Sequence, residues 1–408
     1  MYRFNLSAPG TVFLCEEPNR RNKTCIAASL DMRTTITFSS LPPAAVRRDF
    51  IEIDFPSIQL HVKISLRQFF IHFFGENLYD YTFSRVTLHE IVKNFITSMT
   101  DYDGIYEPSN QAHQLSLQAF FFLLILINFK ENINILSSFI VKLSTELPIG
   151  ENLGSSASLC AVCLAACFWR WSLLQKGIVL YEFGKQDLLK ISNYAQDCDS
   201  VIYNSSTKIG TIISTYGMIK IFDGGVISTP RSKFFSNLPD MKILLVFSNV
   251  SQTTKIELLS EKSMKIQALE NPSLLIDFIL KYRSNISIKF IHMLDIIDKK
   301  TYNCLKGNND SQSINIIDNY KTLLDIIHMN QGLLKALGMS HPNLDIICAI
   351  ARSFSLAGKL ASRGGGGYAF ILLADSTDEN IQDLITTFEA HNFPTKIVTL
   401  NCSGIRVE

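Results

Sequence analysis

Charge is what this sequence has least of. Only 18% of its 408 residues are Asp, Glu, Lys or Arg, and 38 basic against 37 acidic residues leave a net charge of +1. The two signs are interspersed. No basic face or tail draws in nucleic acid or a membrane surface, and neither partner is expected. No apolar run reaches the ~20 residues that span a bilayer. The richest, Ala119 to Ile127, reads as a buried helix. Met1-Tyr2-Arg3-Phe4-Asn5-Leu6 lacks the apolar core of a secretion signal. Nine cysteines without framework spacing suit a reducing compartment, and the expected location is the cytoplasm. Cys160, Cys163 and Cys167 recur at i, i+3 and i+7 among Ala, Leu and Val. That is the spacing of a core helix face, and no second ligand pair argues for a metal. A fixed-period repeat, a G-x-x-x-x-G-K-[ST] loop and a G-x-G-x-x-G fingerprint are all missing, which removes solenoids and the two commonest nucleotide signatures.

What is present is apolar: 47% of the chain. A chain this long exceeds one core, so two domains are expected. The pattern loosens around Gly224 to Asn237, with Gly224-Gly225, Pro230 and Pro239, and the boundary is placed there: 1–232 and 233–408. In the first half, strands are expected over 2–14, 25–38 and 51–64, the last broken at Pro56, and over 139–143. Helices are expected at Leu66–Phe74, Thr87–Met99, Leu115–Phe129, Ala157–Trp171 and Leu188–Ser200, with a polar loop over Tyr102–His113. Ile209–Tyr216 and Met218–Phe222 read as a hairpin. The second half shows a strand at Lys242–Phe247, then helices at 253–269, 273–283, 286–298, 313–329 and 343–353. A strand from Tyr368, a helix over 379–390 and a strand over 395–400 follow. That is an α+β pattern, an antiparallel sheet with helices on one face.

One stretch carries chemistry by itself. The strand 139–143 runs into Pro148-Ile149-Gly150-Glu151-Asn152-Leu153-Gly154-Ser155-Ser156-Ala157, and an apolar helix follows. Free N–H groups and the helix dipole at such a junction attract an anion, and glycines let a phosphate approach closely. A plain capped helix after a turn reads the same way. Two further segments rich in Gly or Ser stand at 7–10 and 362–367.

Together the three segments resemble the galactokinase, homoserine kinase, mevalonate kinase and phosphomevalonate kinase (GHMP) family, and its mevalonate kinases most. Ser7-Ala8-Pro9-Gly10 with Val12, Leu14 and Glu17 is similar to the first motif. Ala28-Ser29-Leu30 with Arg33-Thr34 continues it, and Pro148 to Ala157 is similar to the second. Met329-Asn330-Gln331, Leu334, Ala336-Leu337-Gly338, His341, Leu344-Asp345 and Cys348 resemble the C-terminal domain. Lys359-Leu360 and Gly364 to Gly367 resemble the third motif.

The resemblance implies a two-domain α+β fold, its N-terminal ATP-binding domain of the ribosomal protein S5 domain 2 type and its C-terminal domain ferredoxin-like. It implies transfer of the ATP γ-phosphate to the C5 hydroxyl of mevalonate in isoprenoid and sterol precursor synthesis, with Mg²⁺, by a homodimer. It assigns Pro148, Gly150, Glu151, Asn152, Leu153, Gly154, Ser155 and Ser156 to the ATP phosphates and Ser57 to the adenine side. Ser156 and Asp199 fall at metal ligands, Glu17 near the substrate, and Gly364, Gly365, Gly366 and Gly367 in a closing loop.

The pattern also fails in places. Thr11 stands where the family motif has Lys, and Pro18 where it has His. Ungapped matching puts Gly210 at the catalytic Asp, and no carboxylate occurs between Val201 and Phe222. Asn152 replaces a Gly, and Ala361-Ser362-Arg363 replaces T-G-A. A kinase of mevalonate, an impaired relative that binds nucleotide or a partner, and a family kinase for another small alcohol all fit these departures. Lys208 and Arg363 are the cations that could compensate.

Overall fold

In the computed structural model, residues 1–15, 24–42, 49–75, 84–148, 153, 158–203, 208–223, 231–235, 237–239, 241–250, 272–306, 312–361, 367–373 and 376–408 are described. The chain begins with two long strands, β1 (Arg3–Phe13) and β2 (Cys25–Ser40). Thr34, Ile36, Phe38 and Ser40 of β2 are buried while the residues between them are half-buried, the period-2 pattern of a strand with one covered face. β3 (Phe50–Phe55) and β4 (Leu60–Ser65) form a hairpin around a short 3-10 turn at Pro56–Ile58, because Pro56 cannot donate to the ladder. α1 (Leu66–Phe74), α2 (Arg85–Ser98), β5 (Tyr102–Ile105), α3 (Gln111–Glu131) and β6 (Phe139–Thr145) follow. Then come α4 (Ser158–Gln175), α5 (Lys185–Ile202), α6 (Ile209–Tyr216), β7 (Ile219–Asp223) and β8 (Arg231–Phe234).

These strands make one sheet in the order β1-β2-β6-β3-β4-β5, with β7 and β8 branching from β2. Apolar helices cover it. α3 alone among the described residues is long and apolar enough to cross a membrane, and 61% of its apolar window is buried. Phe120, Phe121 and Phe122 sit in the same core as Phe168 of α4 and Phe38 of β2. The Asn110 side chain caps α3 by accepting from the N–H groups of Ala112 and His113.

The second half contributes β9 (Lys242–Phe247), α7 (Pro272–Leu305), α8 (Gln312–Ala336), α9 (Pro342–Ser353), β10 (Ala357–Leu360), β11 (Tyr368–Leu372), α10 (Asp378–Ala390), β12 (Thr395–Thr399) and β13 (Arg406–Val407). β10-β11-β9-β12 form an antiparallel sheet. Both its faces are buried, not one. Leu244 and Val246 join a core with α9 and α10, while Ile243 and Leu245 join the larger core with Phe290, Leu294 and Ile297 of α7. A strand buried on both sides is a continuous apolar run, as Ile243 to Val246 is. β13 returns to pair with β1, Leu6 opposite Val407.

The other departures from expectation have local causes. Ile209–Tyr216 is a helix, not a strand. Its β-branched residues bias a sequence reading toward strand, but Ile209, Ile212 and Ile213 bury against Cys25, Ala27 and Phe222 at helical spacing. Tyr102–Ile105 is an edge strand on β4, and α3 starts at Gln111 inside the expected loop. The helices at 273–283 and 286–298 are one, since burial of Arg283, Ile286, Ser287, Phe290 and Leu294 runs through Ser284-Asn285 without a break. β10 was not expected. The helix expected over 253–269 lies outside the described residues.

Candidate active site

β1 carries a register shift between Pro9 and Gly10, and there it meets Leu147 and Leu153 of the segment that follows β6. Thr11 N donates to Leu153 O at 3.0 Å. A Cβ at Gly10 would lie 2.6 Å from Leu147 Cδ2 and 3.2 Å from Leu153 O, so only glycine fits without displacing the loop. The base of the loop is fixed from below. Thr34 Oγ1 donates to Thr145 Oγ1 (2.7 Å), Leu147 N donates to Thr145 Oγ1 (3.1 Å), and Glu146 N donates to Arg33 O (3.1 Å). Ser57 Oγ accepts from Thr145 N at 3.3 Å, which puts Ser57 at the foot of the loop. The first and second sequence segments are thus side by side. Pro148 and Leu153 are described; Gly150, Glu151, Asn152, Gly154, Ser155 and Ser156 lie outside the described residues, as do Glu17, Pro18 and Arg363.

α4 starts at Ser158, and its first turn carries free N–H groups and the positive end of the helix dipole. The end of α5 packs on this helix start. Asp199 is 2% exposed. Burial, and then neighbouring charges that include Asp199, push the Cys198 thiol and the Tyr203 phenol well up, and both also interact with Cys160. Asp199 therefore stands beside the first turn of α4, in a nest of groups that stay neutral. Burial raises Cys160 to about 12 and Cys163 and Cys167 higher still, so these are core thiols and not nucleophiles.

α6 lies over β1 and β2. Thr11 is buried opposite Ser29 in the ladder, and its Oγ1 has no hydrogen-bond partner among the described residues. Gly210, in the first turn of α6, shares a helical face with Ile213 and Ser214; the Ser214 hydroxyl is likewise buried and unpartnered among the described residues. Thr11 offers a hydroxyl at the position matched to the lysine, and Gly210 no side chain at the position matched to the carboxylate.

The second half reaches the same place. Asn330 Nδ2 of α8 donates to Cys15 O (3.1 Å), and buried Lys359 of β10 donates to Phe13 O (3.3 Å) and Leu360 O (2.7 Å). Gln331 Oε1 accepts from Leu360 N at 3.0 Å, which ties α8 to β10. The glycine segment leaves β10 at this end and re-enters at Gly367, whose φ of +94° favours glycine and whose carbonyl accepts from Ser248 N. Gly364, Gly365 and Gly366 lie outside the described residues. Sequence reading gave Asn330 and Lys359 no role. The available signal was a lysine inside the short apolar run Ala357-Gly358-Lys359-Leu360.

No model of a protein family matches the chain. Single relatives do. Mevalonate kinase of Mus musculus is 27% identical over 386 residues, covering 92% of this chain and 87% of its own length. A solved mevalonate kinase of Methanococcus jannaschii superposes with a TM-score of 0.62 at 17% identity, over 99% of both chains. Mevalonate kinase of L. major in complex with R-mevalonate superposes at 0.58 and 12% identity, over 98% and 96%. The chain is similar in sequence to mevalonate kinases and shares the fold of the GHMP kinases.

The α+β architecture is that of its structural relatives, and the chemistry of its kinase relatives is phosphotransfer, which implies ATP. Two segments of the motifs do structural duty. Arg33 donates from Nε to Ser7 Oγ (2.6 Å), from NH1 to Ser403 O (3.0 Å) and from NH2 to Gly404 O (2.7 Å), and Ser7 Oγ donates to Glu408 Oε1. Lys208 lines a cavity with Asp197.

Proposed function

We propose that the protein transfers the γ-phosphate of ATP to a small alcohol, and that the alcohol is mevalonate, giving 5-phosphomevalonate for isoprenoid and sterol precursors. The observation that carries this reading is the convergence at one junction of the β1 bulge, the loop ending at Leu153, the start of α4 and Asp199. An anion held by the loop N–H groups and the α4 dipole would sit beside the Asp199 carboxylate. The relatives named mevalonate kinase supply the acceptor.

Asp199 fits Mg²⁺: it is a hard oxygen donor in the last turn of α5, beside the start of α4, and with the Ser156 hydroxyl it would hold an ion completed by phosphate oxygens. Such a site needs no cage; among the described residues no three His, Cys, Asp or Glu converge. The ion would neutralise phosphate charge. The chain's own residues bind and orient: loop amides on the phosphates, Ser57 at the foot of the loop toward the adenine, Glu17 toward the acceptor, and Lys359 and Asn330 holding the second half against the end of β1. Positioning and charge neutralisation supply most of phosphoryl transfer. Domains divided at 1–232 and 233–408, a homodimer and a cytoplasmic location complete the reading.

Thr11 and Gly210 favour a second reading. Without the lysine and the carboxylate, acceptor activation is weakened, and the protein then binds nucleotide or a partner without efficient turnover. Purified protein with Mg²⁺-ATP and mevalonate separates the two. ADP release above a blank supports the kinase. No release, with thermal stabilisation by ATP, supports the impaired relative, and a panel of other small alcohols addresses a changed acceptor.

A further inference from the structure

On the helical side of the first sheet, α2, α3, α5 and the residue preceding α6 enclose a cavity of about 410 Å³. Arg85, Lys130, Lys190 and Lys208 line it, one from each of these four places, together with Tyr194 and Asp197. Asp197 and Asp199 are two residues apart on α5 and so point about 200° apart around the helix. The cavity therefore lies across α5 from the start of α4.

Arg85, Lys130 and Lys190 are held by neighbours. Arg85 Nε is 3.0 Å from Asp197 Oδ2. Lys190 Nζ donates to Glu131 Oε1 at 3.0 Å and sits 4.1 Å over the Trp169 ring. Lys130 lies 5.4 Å over the ring of Tyr194, whose hydroxyl donates to Glu131 Oε1 at 2.7 Å. Lys176 shares Glu131 at 3.4 Å. Of the described groups lining the cavity or ion-paired to its lining, Arg85, Lys130, Lys190 and Lys208 are positive, while Asp197 and Glu131 are negative. Burial raises the Asp197 carboxyl, while Arg85, Lys130 and Lys208 pull it down. Like charges gathered around one cavity repel, and an anion relieves this. Lys presents point charges and Arg a planar fork, the pair of donors suited to phosphate oxygens.

We propose that this cavity is a binding site for a compact diphosphate-type anion, distinct from the loop that faces α4. Four donors from four directions match two linked phosphate groups better than one. The proposal does not rest on phosphotransfer by the protein.

Titration calorimetry of the full chain with inorganic diphosphate, in low salt without divalent cations, tests it. Saturable binding at least tenfold tighter than for orthophosphate is expected, weakening as salt rises. Lys130→Ala with Lys208→Ala should weaken it tenfold or more. Lys130→Arg with Lys208→Arg should hold it within about threefold, which separates loss of charge from loss of fold. Ser156→Ala should leave it unchanged. Absence of binding, equal affinity in the alanine pair, or loss through Ser156→Ala alone would each overturn the proposal.

Discussion

At Gly210 the first turn of α6 carries a hydrogen where the family motif carries a carboxylate. Gly210→Asp should be tolerated there. Glycine costs a helix about 1 kcal/mol relative to Ala, and an acidic residue in the first turn gains ~0.3–1 kcal/mol from the dipole. Stability should hold or rise. If the missing base limits phosphotransfer, turnover should climb by ~10²–10⁴, the usual worth of such a group. ADP release and a thermal midpoint measured on the same sample decide this, and an unchanged rate would show that the missing carboxylate is not the limit. Asp199 makes the opposite prediction. Asp199→Asn keeps the buried shape but removes the charge beside α4. The Mg²⁺ concentration that gives half-maximal ATP-dependent stabilisation should rise at least tenfold, while the midpoint without ATP changes little. The same Mg²⁺ dependence in both proteins would remove Asp199 from the metal site.

Single elements show what a one-dimensional reading can and cannot see. β1 to β4 were legible because alternation and Pro56 are local signals, and α3 because its apolar residues outnumber any alternative. α6 was not legible. Ile209, Ile212 and Ile213 favour strand intrinsically, and only packing on Cys25 and Ala27 makes them helical. The site divides in the same way. The loop at 148–158 announces itself through Gly and Ser, which have few uses besides turns and close approach. The grip of Asn330 and Lys359 on Cys15 and Phe13 spans more than 300 residues of sequence, and no periodicity encodes it. Between these extremes stands Gly10, whose need for glycine is set by two segments meeting. Gly10→Ala should force Leu147 aside and press on the Leu153 carbonyl. Overpacking of this kind costs ~1–3 kcal/mol. The urea midpoint should fall accordingly, and ATP-dependent stabilisation should shrink further than the midpoint alone explains, because the loop moves with Leu147. A midpoint within error of the parent would mean that the bulge is slack.

Across the whole molecule, the last residues bind together the elements that meet at the site. Met218 N donates to Cys402 O, Ile405 N to Thr215 O, and Glu408 N to Asn5 O. A side chain at Gly404 would run into the Thr215 carbonyl. Arg33 and Ser7 complete the clasp from β1 and β2. A pH-sensitive part of it is Glu408. Burial pushes that carboxyl up, but the Ser7 hydroxyl, Arg406 and Arg33 pull it down further, and it sits below the usual glutamate value. The sign follows. A carboxyl lower in the folded chain than its unfolded value of about 4.3 strengthens the clasp above that pH, and the contribution is lost as pH falls through the folded value. Hydrogen exchange at the Ile405 and Glu408 amides should therefore quicken, relative to amides of the β2 core, as pH drops from about 5 toward 3. Glu408→Gln removes the titrating group and should flatten that step while keeping a hydrogen-bonding side chain. An identical pH dependence in the two proteins would assign the step to another group and leave the clasp indifferent to acid.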